Sequence, residues 1–481
     1  MHVTIIGGGI AGLSAAWFLE KQDADISYSL LEASPRLGGK IQSDHQDGFL
    51  LEGGADSFVT QKPAALSICR ELGLTDEMIP CNSAESTVYI LRNGKLIPLP
   101  AGFRLAAPTQ LWSFARSPIM SLPGKLRVGL EPFIKAGNPK GDESLASFIQ
   151  RRLGGEILER IAGPMMSGIF STDPERLSMA CCFPRFQQLE REHGSVIRGM
   201  LAEKKKHQAR AKSNGKTTGK PPAMFMGLRS GMQTLIDGMV DRLTGDLHTN
   251  SQVLDICRQR DRYIVRYMQN GFVETMQKTD AVILATPANI SGPMVRELQP
   301  TLADELDEMR YSHTIHAYLG YRAADLPEGT PPPGFGFVAP PAERSCLRSC
   351  TFSSTKFPGR AQDDQVLLRA FLSSEMQETM IGKSDAEILA LIRGDLKNIL
   401  GIQAKPILQK VYTYPTCNPQ YAVGHLDRMA RIDSLSEQIP GLYFTGSSYR
   451  GVGVPDCIAD AEKIVAQCVA EAIPDEALAA V

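Results

Sequence analysis

The chain reads as an α/β protein built on a Rossmann-type parallel sheet, and three observations predict it. An apolar run at residues 3–6 ends in the glycine cluster Gly7, Gly8, Gly9 and Gly12. A stretch of small and apolar residues follows, and a second apolar run at 27–31 closes on Glu32. This is strand, turn, helix, strand, with the G-x-G-x-x-G spacing at the turn and an acid about 20 positions beyond Gly12. Gly7 permits the tight turn, Gly9 lets backbone approach a pyrophosphate, and Gly12 lets the helix pack close on the strand. The helix start offers N–H groups and a partial positive charge to phosphate, worth ~0.3–1 kcal/mol per exposed charge. Glu32 can accept both hydroxyls of an adenosine ribose and would repel a 2′-phosphate.

A second glycine-rich segment follows almost at once: Arg36, Gly38 and Gly39, then Glu52, Gly53 and Gly54. Two such loops suit a ligand that lies extended, which favours FAD over a nicotinamide dinucleotide. The stretch Arg36 to Lys40 fits R-x-G-G-[RKW]. The N-terminal region thereby resembles the FAD-binding start of the flavoprotein family that includes amine oxidases, phytoene desaturases and protoporphyrinogen oxidases.

At 481 residues the chain should hold two or three domains. Hydrophobic content of 43% and charge content of 22% are ordinary for a globular protein. A net charge of −2 gives no general attraction to nucleic acid. The ten cysteines are scattered without a C-x-x-C, so neither a metal site nor a disulfide framework is expected, and a cytoplasmic setting fits. With a strand read from residue 3, no secretory leader is expected. No run of ~20 apolar residues occurs, so membrane contact is expected to be peripheral at most.

The expected organisation is discontinuous. Residues 1–85, 225–288 and 406–475 are assigned to the FAD-binding domain. Residues 86–107 and 289–405 form a mixed-sheet substrate-binding domain, and 108–224 a helical subdomain. Asn93-Gly94 marks a hairpin turn within 86–100. Ser144 caps a helix whose apolar face is Leu145, Phe148, Ile149 and Leu153. Residues 203–220 are almost free of apolar groups and read as a mobile basic loop, which leaves room for a lipid-headgroup or partner contact. Residues 226–243 read as a glycine-flanked helix, 249–268 as a strand pair and 279–288 as a buried strand. Residues 441–470 read as strand, glycine loop and a helix beginning near Asp456.

Four further segments narrow the resemblance: 163–179 (GPMMSGIFSTDPERLSM), 227–235 (GLRSGMQTL), 418–428 (NPQYAVGHLDR) and 449–458 (YRGVGVPDCI). In this order, after an FAD fingerprint, they resemble the protoporphyrinogen and coproporphyrinogen oxidases of late haem synthesis. The resemblance implies FAD contacts at Gly7, Gly8, Gly9, Ile10, Ala11, Gly12, Glu32, Ala33, Arg36, Gly39, Lys40, Gly54, Ala55, Asp56, Ser57, Val253, Val452, Gly453 and Val454. It also implies a substrate pocket containing Gly168, Phe335, Val338 and Phe371. Eukaryotic members carry a propionate-pairing arginine where this chain has Thr87, so the carboxylate anchor must differ; Arg104, Arg185 and Arg450 are candidates.

The implied reaction removes a hydride from a bridging carbon of a porphyrinogen to flavin N5, and molecular oxygen then takes the electrons to give hydrogen peroxide. Pyrrole N–H protons acidify as aromaticity develops, so no catalytic acid or base is assigned. His425 reads as a structural histidine. The alternative is an amine oxidase or desaturase of the same superfamily; some amine oxidases hold flavin covalently through a cysteine, and Cys457 lies in the closing motif. A flavin-free binding protein such as a Rab GDP-dissociation inhibitor shares the architecture, and the intact fingerprint argues against it. Non-covalent FAD is expected.

Overall fold

The computed structural model describes residues 1–22, 25–100, 103–104, 107–108, 111–137, 141–170, 172–213 and 223–472. The chain forms two compact units. One comprises Met1–Cys81, Ala223–Arg310 and Asp427–Val481, and the other Asn82–Pro222 and Tyr311–Leu426.

The first unit is organised by a five-stranded sheet in the order Asp246–His248, Ser27–Leu31, His2–Ile6, Ala281–Leu284, Leu442–Phe444, with every pairing parallel. A parallel sheet covered on both faces needs strands apolar on both faces. Val3, Ile5, Val282, Ile283 and Leu284 accordingly have no exposed surface. Helix Ile10–Glu20 is buried on nearly every side, and the long closing helix Val454–Ala472 packs against it. The strand pair expected at 249–268 is extended by a third strand into the antiparallel set Ser251–Gln259, Arg262–Gln269 and Val273–Thr279.

The second unit carries a seven-stranded mixed sheet in the order Leu408–Pro419, Tyr311–Arg322, Gln365–Leu372, Leu347–Phe352, Gly336–Val338, Val88–Arg92, Lys95–Pro98. Only Gly336–Val338 against Val88–Arg92 is parallel. The hairpin turn has φ of 50° at Asn93 and 71° at Gly94, as a two-residue turn joining twisted strands requires. Ser144 caps helix Leu145–Arg152 by accepting the Ser147 N–H at 3.1 Å, and Leu145, Phe148, Ile149 and Leu153 are buried.

Three boundaries differ from expectation. Strand Leu408–Pro419, expected with the FAD-binding segments, pairs along Tyr311–Arg322 and so belongs to the second unit. Helices Ala288–Val295 and Pro300–Asp307, expected in the substrate domain, pack on each other within the first unit. The helices of 108–224 have a core of their own, yet it includes Ile90 and Tyr421 and falls in the same unit as the sheet. The basic stretch expected as a loop from residue 203 is helical through Ser213, in helix Val196–Ser213; residues 214–220 lie outside the described residues. Glu, Lys, Gln, Ala and Arg are strong helix formers, and no glycine interrupts them before Gly215.

Candidate functional site

The glycine turn sits at the carboxyl end of strand His2–Ile6. Gly7 has φ of +106°, and its N–H donates to Leu31 O at 2.8 Å, tying the turn to the neighbouring strand. At Gly12 an added Cβ would stand 1.9 Å from the Gly7 carbonyl oxygen, so only hydrogen fits there. Gly9 is the N-cap of helix Ile10–Glu20, and nothing lies within 3.9 Å of the place its Cβ would take: the nearest atom is Gly39 Cα at 4.0 Å. Close packing behind the turn with open space in front of it is the shape that a pyrophosphate cradle needs.

The other expected cofactor residues gather around this turn. Glu32 accepts the Gly8 N–H at 2.7 Å and the Ser34 N–H at 2.8 Å, so its carboxylate helps to shape the turn. Ala33 continues that strand end. The second glycine loop is joined to the first through Gly38 N–H to Gly8 O at 2.8 Å, and Gly39 and Lys40 follow directly. Gly54 lies against the Lys40 carbonyl, where a Cβ would meet oxygen at 1.9 Å, and Ala55, Asp56 and Ser57 lead away from it. Ser57 donates to Asp56 at 2.7 Å. Val253 is buried on a strand whose first residue, Ser251, donates to Glu32 O at 2.8 Å.

Strand Leu442–Phe444 runs parallel to His2–Ile6 in the same sheet and also leads through glycines into a helix. The starts of helices Ile10–Glu20 and Val454–Ala472 therefore both lie at the carboxyl edge of the sheet, where open α/β sheets bind ligands. Val452 is partly exposed, Gly453 O accepts the N–H groups of Asp456 and Cys457 at 3.0 Å, and Val454 opens the helix. The helix starts two residues before the expected Asp456. Cys457 is buried, and burial pushes its thiol up to about 12, while the nearby Lys40 charge only partly opposes this.

Two residues take parts that the motif alone did not disclose. Arg36 donates to the carbonyls of Leu37, Gly39 and Ile41 and to the Gln42 side chain, so its guanidinium staples the second loop. Glu52 is buried and accepts the Met232 N–H at 3.0 Å and the Ser43 hydroxyl at 2.6 Å, fixing the start of helix Gln233–Val240. Its long sequence separation from Met232 gave no signal.

The expected substrate residues lie together in the second unit. Cross-strand register places Ile90, Val338, Ser349, Phe371, His316 and Tyr412 in one row on one sheet face. The alternate row, Phe337, Cys350, Ala370, Ala317 and Val411, is buried on the other face, in one cluster with Ile388, Ile392 and Leu396 of helix Asp385–Leu400. Val338, Ser349 and Phe371 are half-exposed. Phe335 is seated by its N–H on the Thr87 carbonyl at 2.8 Å, so Thr87 contributes backbone where an arginine was expected in the eukaryotic pattern. Helix Gly163–Phe170 packs on strands Gly336–Val338 and Leu347–Phe352. It carries Gly168 half-exposed, with no atom of the described residues within 4 Å of where its Cβ would be.

The candidate carboxylate anchors fare differently. Arg450 is held by Asp433, Asp460 and the Phe444 carbonyl, and Arg185 pairs with Glu203. The Arg104 side chain lies outside the described residues. His425 is buried and stacked on Tyr421, with ring centroids 4.1 Å apart. Among the described residues, no helix is long and apolar enough to cross a membrane.

The model of the flavin-containing amine oxidoreductase family matches residues 10–469. The chain is 33% identical to coproporphyrinogen III oxidase of Bacillus subtilis, covering 97% of this chain and 98% of that protein. It is 28% identical to the chloroplastic protoporphyrinogen oxidase of Nicotiana tabacum, covering 97% and 85%. A solved structure from Exiguobacterium sp. 255-15, carrying the name of a protoporphyrinogen oxidase, superposes with a TM-score of 0.84. It is 28% identical, with 98% of this chain and 99% of that one covered.

Proposed function

Because this chain belongs to the flavin-containing amine oxidoreductase family, we propose that it oxidises a porphyrinogen in late haem biosynthesis, coproporphyrinogen III by preference, with molecular oxygen as acceptor. The observation that carries this reading is the end-to-end likeness to coproporphyrinogen III oxidases, which exceeds the likeness to protoporphyrinogen oxidases.

The cofactor is FAD, held without a covalent bond. Gly7–Gly12 and the helix start receive its pyrophosphate, Glu32 and Ala33 its ribose, and the second glycine loop with Gly54–Ser57, Val253 and Val452–Val454 the remainder. Bound there, FAD supplies the two-electron acceptor and the place where oxygen is consumed. A buried thiol pushed up to about 12 is protonated at neutral pH and a poor nucleophile, which supports the non-covalent reading at Cys457.

The chain's own part is positional. Val338 and Phe371 present an apolar platform that excludes water from a flat macrocycle, and Phe335 precedes the strand that carries Val338. Gly168 leaves room for that macrocycle to approach helix backbone, since no side chain of the described residues stands in front of it. The pyrrole protons pass to solvent, and no side chain is required to take them.

Peripheral membrane contact is part of the same proposal, at a different place from the basic segment that suggested it. Trp112, Leu122, Leu126 and Phe133 are exposed by 78%, 74%, 70% and 79%, and the guanidiniums of Arg116 and Arg198 lie 5.7 and 5.9 Å from the Trp112 and Phe133 rings. Apolar side chains flanked by cations suit an anionic bilayer surface.

Anaerobic titration of the purified protein with coproporphyrinogen III and with protoporphyrinogen IX tests the reading. Flavin bleaching by the former, with porphyrin fluorescence and no need for NAD(P)H when air returns, is the expected result. A protein that stays colourless after incubation with FAD, or one bleached by amines and by neither porphyrinogen, overturns it.

A further inference from the structure

On the substrate face of the seven-stranded sheet, two guanidinium groups converge on one aromatic ring. Arg369 lies two residues before Phe371 on strand Gln365–Leu372, hence on the same face, and its guanidinium carbon is 4.7 Å from the Phe371 centroid. Arg348 comes from the neighbouring strand Leu347–Phe352. A register irregularity between Leu347 and Ser349 turns it toward the same ring, and its guanidinium carbon is 5.8 Å away. Both arginines are buried, at 6% and 5% exposure, whereas Phe371, Ser349 and Val338 beside them are half-exposed.

The charges are set in place rather than mobile. Arg369 donates to His316 Nε2 at 3.1 Å, and a guanidinium can only donate, so His316 presents its lone pair there. The His316 ring stacks on Tyr412 with centroids 5.1 Å apart and lies 5.0 Å from Phe371. Burial pushes Arg348 down to about 10, which still leaves it protonated at neutral pH. Arginine's planar fork matches a carboxylate in two-point geometry, and such charge-assisted bonds are strongest away from water.

We propose that Arg348 and Arg369 form the carboxylate anchor of the substrate site, receiving a propionate of the macrocycle at the edge of Phe371. This rests on the porphyrinogen reading and gives this chain a cation in place of the arginine missing at Thr87.

The test uses the flavin-loaded enzyme and Arg348→Met, Arg369→Met and Arg348→Lys. Binding of coproporphyrin III is followed by fluorescence quenching, and turnover is measured with coproporphyrinogen III and with its tetramethyl ester, which has no charged carboxylate. Each methionine variant is checked for flavin content and unfolding midpoint, so that a loss of fold is told apart from a loss of binding. It should raise KM and weaken coproporphyrin binding at least tenfold with kcat nearly unchanged, and treat the ester as wild type does. Arg348→Lys should recover part of the binding. Wild-type KM in both methionine variants overturns the anchor and leaves the porphyrinogen reading standing. Equal losses on acid and ester show a merely structural role and also overturn it. A wild-type enzyme that neither binds coproporphyrin nor oxidises the porphyrinogen sinks the parent reading, and the anchor with it.

Discussion

The glycine turn makes a paired prediction in which two similar substitutions separate folding from cofactor binding. At Gly12 a Cβ would sit 1.9 Å from the Gly7 carbonyl oxygen and 3.3 Å from Ala285 Cβ. Real Cβ contacts below 3.0 Å are essentially never seen, and the obstructing atom is backbone in a turn held at φ +106°. The helix must therefore lift by about an ångström, and overpacking of this kind costs ~1–3 kcal/mol. Gly9→Ala meets nothing nearer than 4.0 Å within the protein, and Gly9 has φ of −76°, accessible to any residue. Its loss as an N-cap glycine is partly offset by the stiffer unfolded chain, so the apo protein should change by less than ~0.5 kcal/mol. On the proposed reading, however, the new methyl group would occupy the space a pyrophosphate needs to approach backbone. Apo protein prepared from each variant should be unfolded in urea and titrated with FAD. Gly12→Ala is expected to lose both stability and flavin. Gly9→Ala should keep its urea midpoint and bind FAD at least ~10-fold more weakly, a difference of about 1.4 kcal/mol. Wild-type stability and flavin content in Gly12→Ala would refute the steric reasoning, and undiminished FAD affinity in Gly9→Ala would remove the cradle from this turn.

Three other outcomes follow from the geometry. Glu131 and Arg152 are fully buried together, with Arg152 Nε donating to Glu131 at 2.8 Å and Glu131 also accepting the Val196 and Ile197 N–H groups. Glu131→Gln leaves the buried Arg152 with Glu190, at 3.3 Å, as its carboxylate partner and should lower the midpoint of denaturant unfolding, whereas Glu131→Gln with Arg152→Met should cost less than the two separately; additive losses would count against the pair. At Glu190, burial raises the carboxyl, but Arg151 at 2.6 Å, the Gly137 N–H and Arg152 outweigh it and hold it below its ordinary 4.5. A carboxyl lowered by folding stabilises above its unfolded value, and that contribution is lost as pH falls through the folded one. Glu190→Gln should therefore flatten the decline of the unfolding midpoint below about pH 4.5, and an unchanged acid slope would contradict the assignment. Cys457, with its thiol raised to about 12, should resist alkylation at neutral pH in the native enzyme and react only on unfolding, as mass spectrometry of the labelled peptide would read; rapid native labelling would remove the argument against a covalent link there.

Legibility in the sequence followed the range of the interactions. The strand–turn–helix–strand unit through Glu32 was readable because its constraints are local: a positive φ at Gly7 and a helix pressed on the turn at Gly12 act between near neighbours. The same holds for the Asn93-Gly94 hairpin and the Ser144 cap. Arg36 fitted a motif, and its type and position were legible, but its hydrogen bonds to Leu37, Gly39 and Ile41 were not. Leu122, Leu126 and Leu130 stand at helical spacing and are exposed in the fold, and spacing alone does not say whether such a face is covered.

The sequence by itself determined the glycine turn, because a glycine that must be glycine records a steric condition inside a few residues of chain. The tertiary structure alone decided what shares a surface: which unit strand Leu408–Pro419 joins, that Val338 and Phe371 fall in one row, and that Arg348 and Arg369 meet at one ring. Periodicity tells a residue which way it faces, in or out. It carries no information on which distant strand lies beside it, since that is set by pairing register and by burial summed over the whole sheet.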